Sequence, residues 1–132
     1  MIERDEKQLL LKELFVADAT TRRTAPLLCD QWQYFVMMYD IEKGGTPPAK
    51  SYLRINAKYI DHDGVEYAIT DPKFGCVLEE VSFVPAKRAI EGRCLGKELV
   101  FEVVSSGALS TLNYYTCRLY VQFYRDVPAV RG

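Results

Sequence analysis

The chain has 132 residues, close to the commonest size of a single domain, and 48 % of them are hydrophobic, too many for a disordered segment. A domain of this size buries enough surface to fold without a disulfide or a structural metal. Its 17 basic and 18 acidic residues leave a net charge of −1, without the basic excess a nucleic-acid binder uses, so charge-driven binding to a polyanion is not expected.

No apolar run approaches the ~20 residues of a membrane helix, so no membrane partner is expected. Met1-Ile2-Glu3-Arg4-Asp5-Glu6 is too acidic for a secretory leader. The expected location is therefore cytoplasmic, unless a leader was removed before residue 1. Cys29, Cys76, Cys94 and Cys117 are widely spaced and make no Cys-x-x-Cys pair. In an intracellular chain they are expected as free thiols that behave as small hydrophobes.

Taken in chain order, residues 3–17 are rich in Glu, Lys, Gln and Leu, with Asp5 and Glu6 early and Lys12 later. Leu9, Leu10, Leu14 and Phe15 can share a helical face, and a helix is expected within 1–20. Residues 20–26 are polar and end in Pro26, which reads as a loop. Gln31 to Ile41 is aromatic and apolar at its centre, which suggests a central strand covered on both faces. The Gly44-Gly45-Thr46-Pro47-Pro48 run stops it and reads as a connector.

Residues 51–60 alternate Leu53, Ile55, Ala57 and Tyr59 with Arg54, Asn56 and Lys58, the period of a half-buried strand. Asp61-His62-Asp63-Gly64 then makes a hairpin turn into 65–69. Strands are also expected at 77–84 and 99–104. Between them, Pro85 and Gly92 bracket a short helical turn or an irregular loop. Tyr115, Cys117, Leu119, Val121 and Phe123 alternate with Thr116, Arg118, Tyr120, Gln122 and Tyr124, a second long strand. The expected fold is one mainly-β domain over 1–132. It would be an antiparallel sandwich, jelly-roll-like, or a small barrel, with about six or seven strands, a β core over 31–127 and one N-terminal α-helix.

His62 is the only histidine, and its Asp61 and Asp63 neighbours favour a turn over a metal cage, which needs ligands from several directions. The spacing of a calcium loop, a nucleophile elbow and a phosphate loop are all missing. No metal, cofactor or catalytic residue is assigned. Lys87, Arg88 and Arg93, with Lys97, form a basic cluster diluted by Glu91 and Glu98, a candidate docking point for an acidic partner. The nine tyrosines are the strongest hint. If Cys117 to Phe123 face the core, then Arg118, Tyr120, Gln122 and Tyr124 face outward, and Tyr52 and Arg54 do so on the earlier strand. Tyr and Arg on a sheet face match the composition of protein interfaces.

These readings favour a non-catalytic interaction or self-assembly module whose partner is a protein, including a copy of itself. The alternative is a small-ligand protein with an apolar pocket lined by Trp32, Tyr34, Phe35, Met37, Phe83 or Phe101. A small enzyme pairing carboxylates among Glu66, Glu79, Glu80 and Glu102 comes third.

Overall fold

The computed structural model describes residues 1–69 and 86–127. The expected 77–84 strand, Glu79, Glu80, Phe83 and Cys76 lie outside them. Among the described residues there are ten strands and no helix. They are β1 (Ile2–Arg4), β2 (Gln8–Phe15), β3 (Thr21–Arg23), β4 (Leu27–Leu28), β5 (Tyr34–Gly44), β6 (Tyr52–Ile60), β7 (Glu66–Ala68), β8 (Ala86–Arg93), β9 (Glu98–Ser106) and β10 (Tyr114–Asp126). No helix of the described residues is long and apolar enough to cross a membrane.

Two antiparallel sheets result. In sheet A, β10 pairs with β5 on one edge and with β1 and β2 in turn on the other, while β8 flanks β5. In sheet B, β9 pairs with β6 on one edge and with β3 and β4 on the other, while β7 flanks β6. The chain therefore changes sheet at most of its connections, and neither sheet closes into a barrel.

Alternation along the long strands explains the packing. Phe35, Met37, Tyr39 and Ile41 of β5 and Tyr115, Cys117, Leu119, Val121 and Phe123 of β10 face inward from sheet A. Leu53, Ile55 and Ala57 of β6 and Leu99, Phe101 and Val103 of β9 face inward from sheet B. All belong to one buried cluster. Each large side chain in it stabilises the fold by roughly 1.5–3 kcal/mol through loss of apolar surface from water. Strands 51–60, 99–104 and 115–124 and the 61–64 hairpin turn stand where the sequence puts them.

Four expectations are corrected. The N-terminal helix is instead β1 and β2. Opposite β2, the register on β10 slips between Leu119 and Tyr120, so that Leu11 pairs with Leu119 but Leu9 with Tyr120. Leu10 is the extra residue of a β-bulge, which breaks the period of two and lets the stretch imitate a helix. The stretch 20–26 is not all loop, because Thr21–Arg23 pairs with β9. The expected helical turn after Pro85 is β8, an edge strand whose charged residues suit an edge. Finally, β5 is covered on one face only: its alternate residues Tyr34, Val36, Met38 and Asp40 are half-buried on the outer side of sheet A.

Candidate interaction face

The outer side of sheet A is built from cross-strand rows fixed by the register. The first row is Arg4, Tyr124, Tyr34 and Arg93, running across β1, β10, β5 and β8. The second is Gln122, Val36 and Glu91. The third is Leu9, Tyr120, Met38 and Ala89, and the fourth is Lys12, Arg118, Asp40 and Lys87. Directly opposed side chains stand about 5 Å apart, so each row is a contiguous strip of surface.

Four of the outward residues expected from sequence, Arg118, Tyr120, Gln122 and Tyr124, lie together here. Lys87 and Arg93 of the basic cluster join them at opposite ends of β8. Arg88 points from the other side of β8, opposite Tyr39, so the basic cluster is divided. Tyr52 and Arg54 belong to the outer face of sheet B, across the sandwich. There the Arg54 Nη2 donates to the Tyr52 hydroxyl at 3.0 Å, and the guanidinium lies 5.4 Å from the ring centroid.

Among the described residues, two depressions lie on the face. A groove of about 550 Å³ is lined by Ile2, Arg4, Tyr34, Val36, Gln122 and Tyr124, with Glu91 on its far wall. A shallower one of about 360 Å³ lies over Met38, Asp40, Lys87, Ala89 and Tyr120, with Lys7. The near wall is the segment between β1 and β2. The Asp5 backbone N–H donates to the Phe123 carbonyl at 2.9 Å, and the Gln122 side-chain amide donates to the Asp5 carbonyl at 2.9 Å. Lys7 Nζ then sits 4.3 Å from the Tyr120 ring centroid, a cation–π contact.

The electrostatics of the face are asymmetric. Arg4, Lys7, Lys12, Lys87, Arg93 and Arg118 outnumber Asp40, Glu42, Glu91 and Asp126. Lys87 Nζ is 3.9 Å from Asp40 Oδ2, while Asp40 Oδ1 is buried without a hydrogen-bond partner among the described residues. Burial raises the Tyr124 phenol above its ordinary range; Arg4 opposes the shift and Glu91 adds to it. Leu9 and Leu14 on β2 and Ile2 on β1 remain more than half exposed at the rim.

The other candidates resolve differently. Of the side chains expected around an internal pocket, Phe35 meets Phe101 edge-on at 5.8 Å, Met37 is fully buried, and Trp32 stacks on Phe123 at 6.3 Å. Tyr34 lies on the outer face instead. His62 stands exposed in its turn, where the Asp61 carboxylate accepts the Asp63 and Val65 N–H groups, both at 2.9 Å. No group of three metal-ligating side chains forms among the described residues. The 44–48 run is tied down, with the Thr46 N–H donating to Asn113 Oδ1 at 2.9 Å.

Of the carboxylates, Glu66 and Glu102 do meet, on the outer side of sheet B, but each is neutralised. Arg23 reaches both, and Lys58 Nζ lies 2.8 Å from Glu102 and 3.4 Å from Glu66. The hydrogen-bonded Arg23 guanidinium holds the Glu66 carboxyl down at about 2, against a smaller opposing effect of burial. A carboxylate so stabilised in its charged form is the reverse of a general acid.

No protein-family profile matches the chain, and no curated protein sequence is similar to it. Among solved structures, the chain resembles one from infectious bursal disease virus, Gx strain, with a TM-score of 0.56 and 8 % identity over 94 % of this chain and 32 % of that one. A chain of the infectious bursal disease virus VP2 subviral particle gives a TM-score of 0.55 and 8 % identity, with the same coverage of 94 % and 32 %. The acidic stable capsid structure of Helicobacter pylori bacteriophage KHP30 matches over 100 % of both chains at 14 % identity, with a TM-score of 0.48. The chain thus spans about a third of the length of the two bursal-virus chains, and at 8 % identity the likeness is one of fold.

Proposed function

We propose that the chain is a non-catalytic self-assembly module of jelly-roll type, which contacts further copies of itself through the outer face of sheet A. The observation that carries this reading is the four-row strip of Tyr, Met and Arg beside exposed leucines, which none of the described residues covers. Aromatic and arginine side chains at the centre of a patch are the usual energetic anchors of an interface. The strand order supports the jelly-roll assignment: the chain moves between sheets so that β10 and β5 are the inner strands of one, and β9 and β6 of the other. The fold likeness to chains of virus-particle structures agrees with an assembling subunit.

The cation excess sets the kind of contact. Two copies of a positive face repel, so the face meets a different surface of the next copy. Such head-to-tail contacts build rings or shells rather than simple two-fold dimers. Sedimentation velocity over a wide concentration range tests this. The expected result is growth beyond a dimer with concentration; a monomer at every concentration overturns it.

A second reading takes the 550 Å³ groove as a small-molecule site, since its volume and its Tyr34, Tyr124, Arg4 and Gln122 lining suit a planar ligand with acceptor groups. A fragment screen by ligand-observed NMR, with Tyr124→Ala as control, distinguishes it from assembly.

A further inference from the structure

Two connections cross between the sheets at one end of the sandwich: residues 29–33 lead from β4 to β5, and 94–97 lead from β8 to β9. They are laced together by main-chain hydrogen bonds. The Cys29 N–H donates to the Lys97 carbonyl at 2.9 Å, and the Cys94 N–H donates to the Gln33 carbonyl at 2.9 Å. The Cys29 side chain is fully buried, and Cys94 is half-buried against the same core cluster. Cys29 Sγ lies 3.9 Å from the carbonyl oxygen of Leu95, the neighbour of Cys94.

We propose that Cys29 and Cys94 are a reversible cross-linking site, at which oxidation joins the two sulfurs and staples the two inter-sheet connections. The neighbouring thiol of Cys94 lowers that of Cys29, against burial and the charges of Asp30 and Glu98, while Cys29 and burial raise that of Cys94. In the full step, two S–H bonds break and one S–S bond forms. Two protons and two electrons pass to a small thiol oxidant of the azo class, whose N=N bond is reduced to a hydrazine. Among the described residues, the third cysteine, Cys117, has no such partner thiol. Burial, and then the charge of Asp40, push its thiol up to about 12, which makes it an internal control.

The cross-link would close a loop of about 65 residues, long enough for a large entropic restriction of the unfolded chain. It does not depend on the assembly reading.

The test treats the folded, reduced protein with diamide, followed by alkylation, intact-mass measurement and peptide mapping. The expected result is loss of two hydrogens, a linked peptide pair carrying Cys29 and Cys94, and restoration by dithiothreitol. The melting temperature should rise by roughly 10 °C on oxidation. Cys94→Ser, a half-buried and tolerable change, should abolish both the mass change and the rise, while Cys117→Ser should leave both intact. Separate alkylation of Cys29 and Cys94 after oxidant treatment, linkage of either one to a second chain, or a linked protein with an unchanged or lower melting temperature would each overturn the proposal.

Discussion

Arg23 grips Glu66 with both arms of its guanidinium, Nη1 at 2.9 Å and Nη2 at 2.5 Å from the two carboxylate oxygens. The pair links β3 to β7 over the outer side of sheet B, and Lys58 and Glu102 extend it to β6 and β9. Glu66 titrates near 2 in the folded chain, below the ordinary carboxylate value of 4.5. Because the folded value is the lower one, the stabilisation is fully present above about pH 4.5 and is lost as pH falls toward 2. Glu66 is about a third exposed, so solvent screening limits the effect to about 1 kcal/mol. Urea unfolding at pH 7 and pH 3 should show this loss in the wild type, and a smaller loss in Glu66→Gln.

The assembly reading makes a directional prediction on the outer face of sheet A. Tyr120 is the centre of the strip, beside Met38 and Leu9. Tyr120→Glu should weaken association at least tenfold, since it places a charge where an aromatic anchor is desolvated. Tyr52→Ala, on the opposite outer face, should leave association unchanged. Light scattering across a dilution series reads both, and a melting temperature within a few degrees of wild type shows that the variants fold.

Much of this arrangement can be read along the chain, wherever one face of a strand is buried and the other wet. At 51–60 and 115–124 the alternation is uninterrupted, and the outward set Arg118, Tyr120, Gln122 and Tyr124 follows from it. It fails in Gln8–Phe15, because the bulge at Leu10 shifts the parity and good helix formers fill the strand; pairing with β10 overrides propensity. It fails again in Ala86–Arg93, where the charges that keep an edge strand from aggregating resemble a solvated turn. The rest of the face, Arg4, Tyr34, Val36 and Met38, comes from pairings between strands distant in sequence. Tyr34 meets Tyr124 only through the register of β5 on β10, which no local pattern encodes.

Two glycines with similar backbone angles should respond differently to alanine. Gly45 has φ +69°, and a Cβ there would run into the Leu112 carbonyl oxygen. Gly64 has φ +81° but opens onto empty space in the hairpin turn. Gly64→Ala therefore bears only the left-handed backbone cost of about 1 kcal/mol. Gly45→Ala adds a backbone clash that moves the 110–113 segment, and should cost about 3 kcal/mol or more. Chemical denaturation of the two variants checks the ranking; equal losses would mean that the Gly45 contact relaxes freely.

The buried hydroxyl of Tyr115 offers the last prediction. It donates to the Ser51 carbonyl at 3.2 Å, inside the end of the sandwich where β6 begins, and Ser51 Oγ donates onward to the Pro48 carbonyl at 2.6 Å. The ring fills core volume whether or not the oxygen is present. Tyr115→Phe thus keeps the packing and removes the hydroxyl's contacts with Ser51, to the carbonyl and to Oγ at 3.0 Å, for an expected loss of about 1–2 kcal/mol. Tyr115→Ala also opens a cavity between the sheets and should cost about 3–5 kcal/mol. Ser51 keeps its bond to Pro48 in both variants, so the difference between their unfolding free energies reports the ring alone. A Tyr115→Phe loss as large as that of Tyr115→Ala would show that the hydroxyl, rather than the buried ring, holds the 48–51 turn against β10.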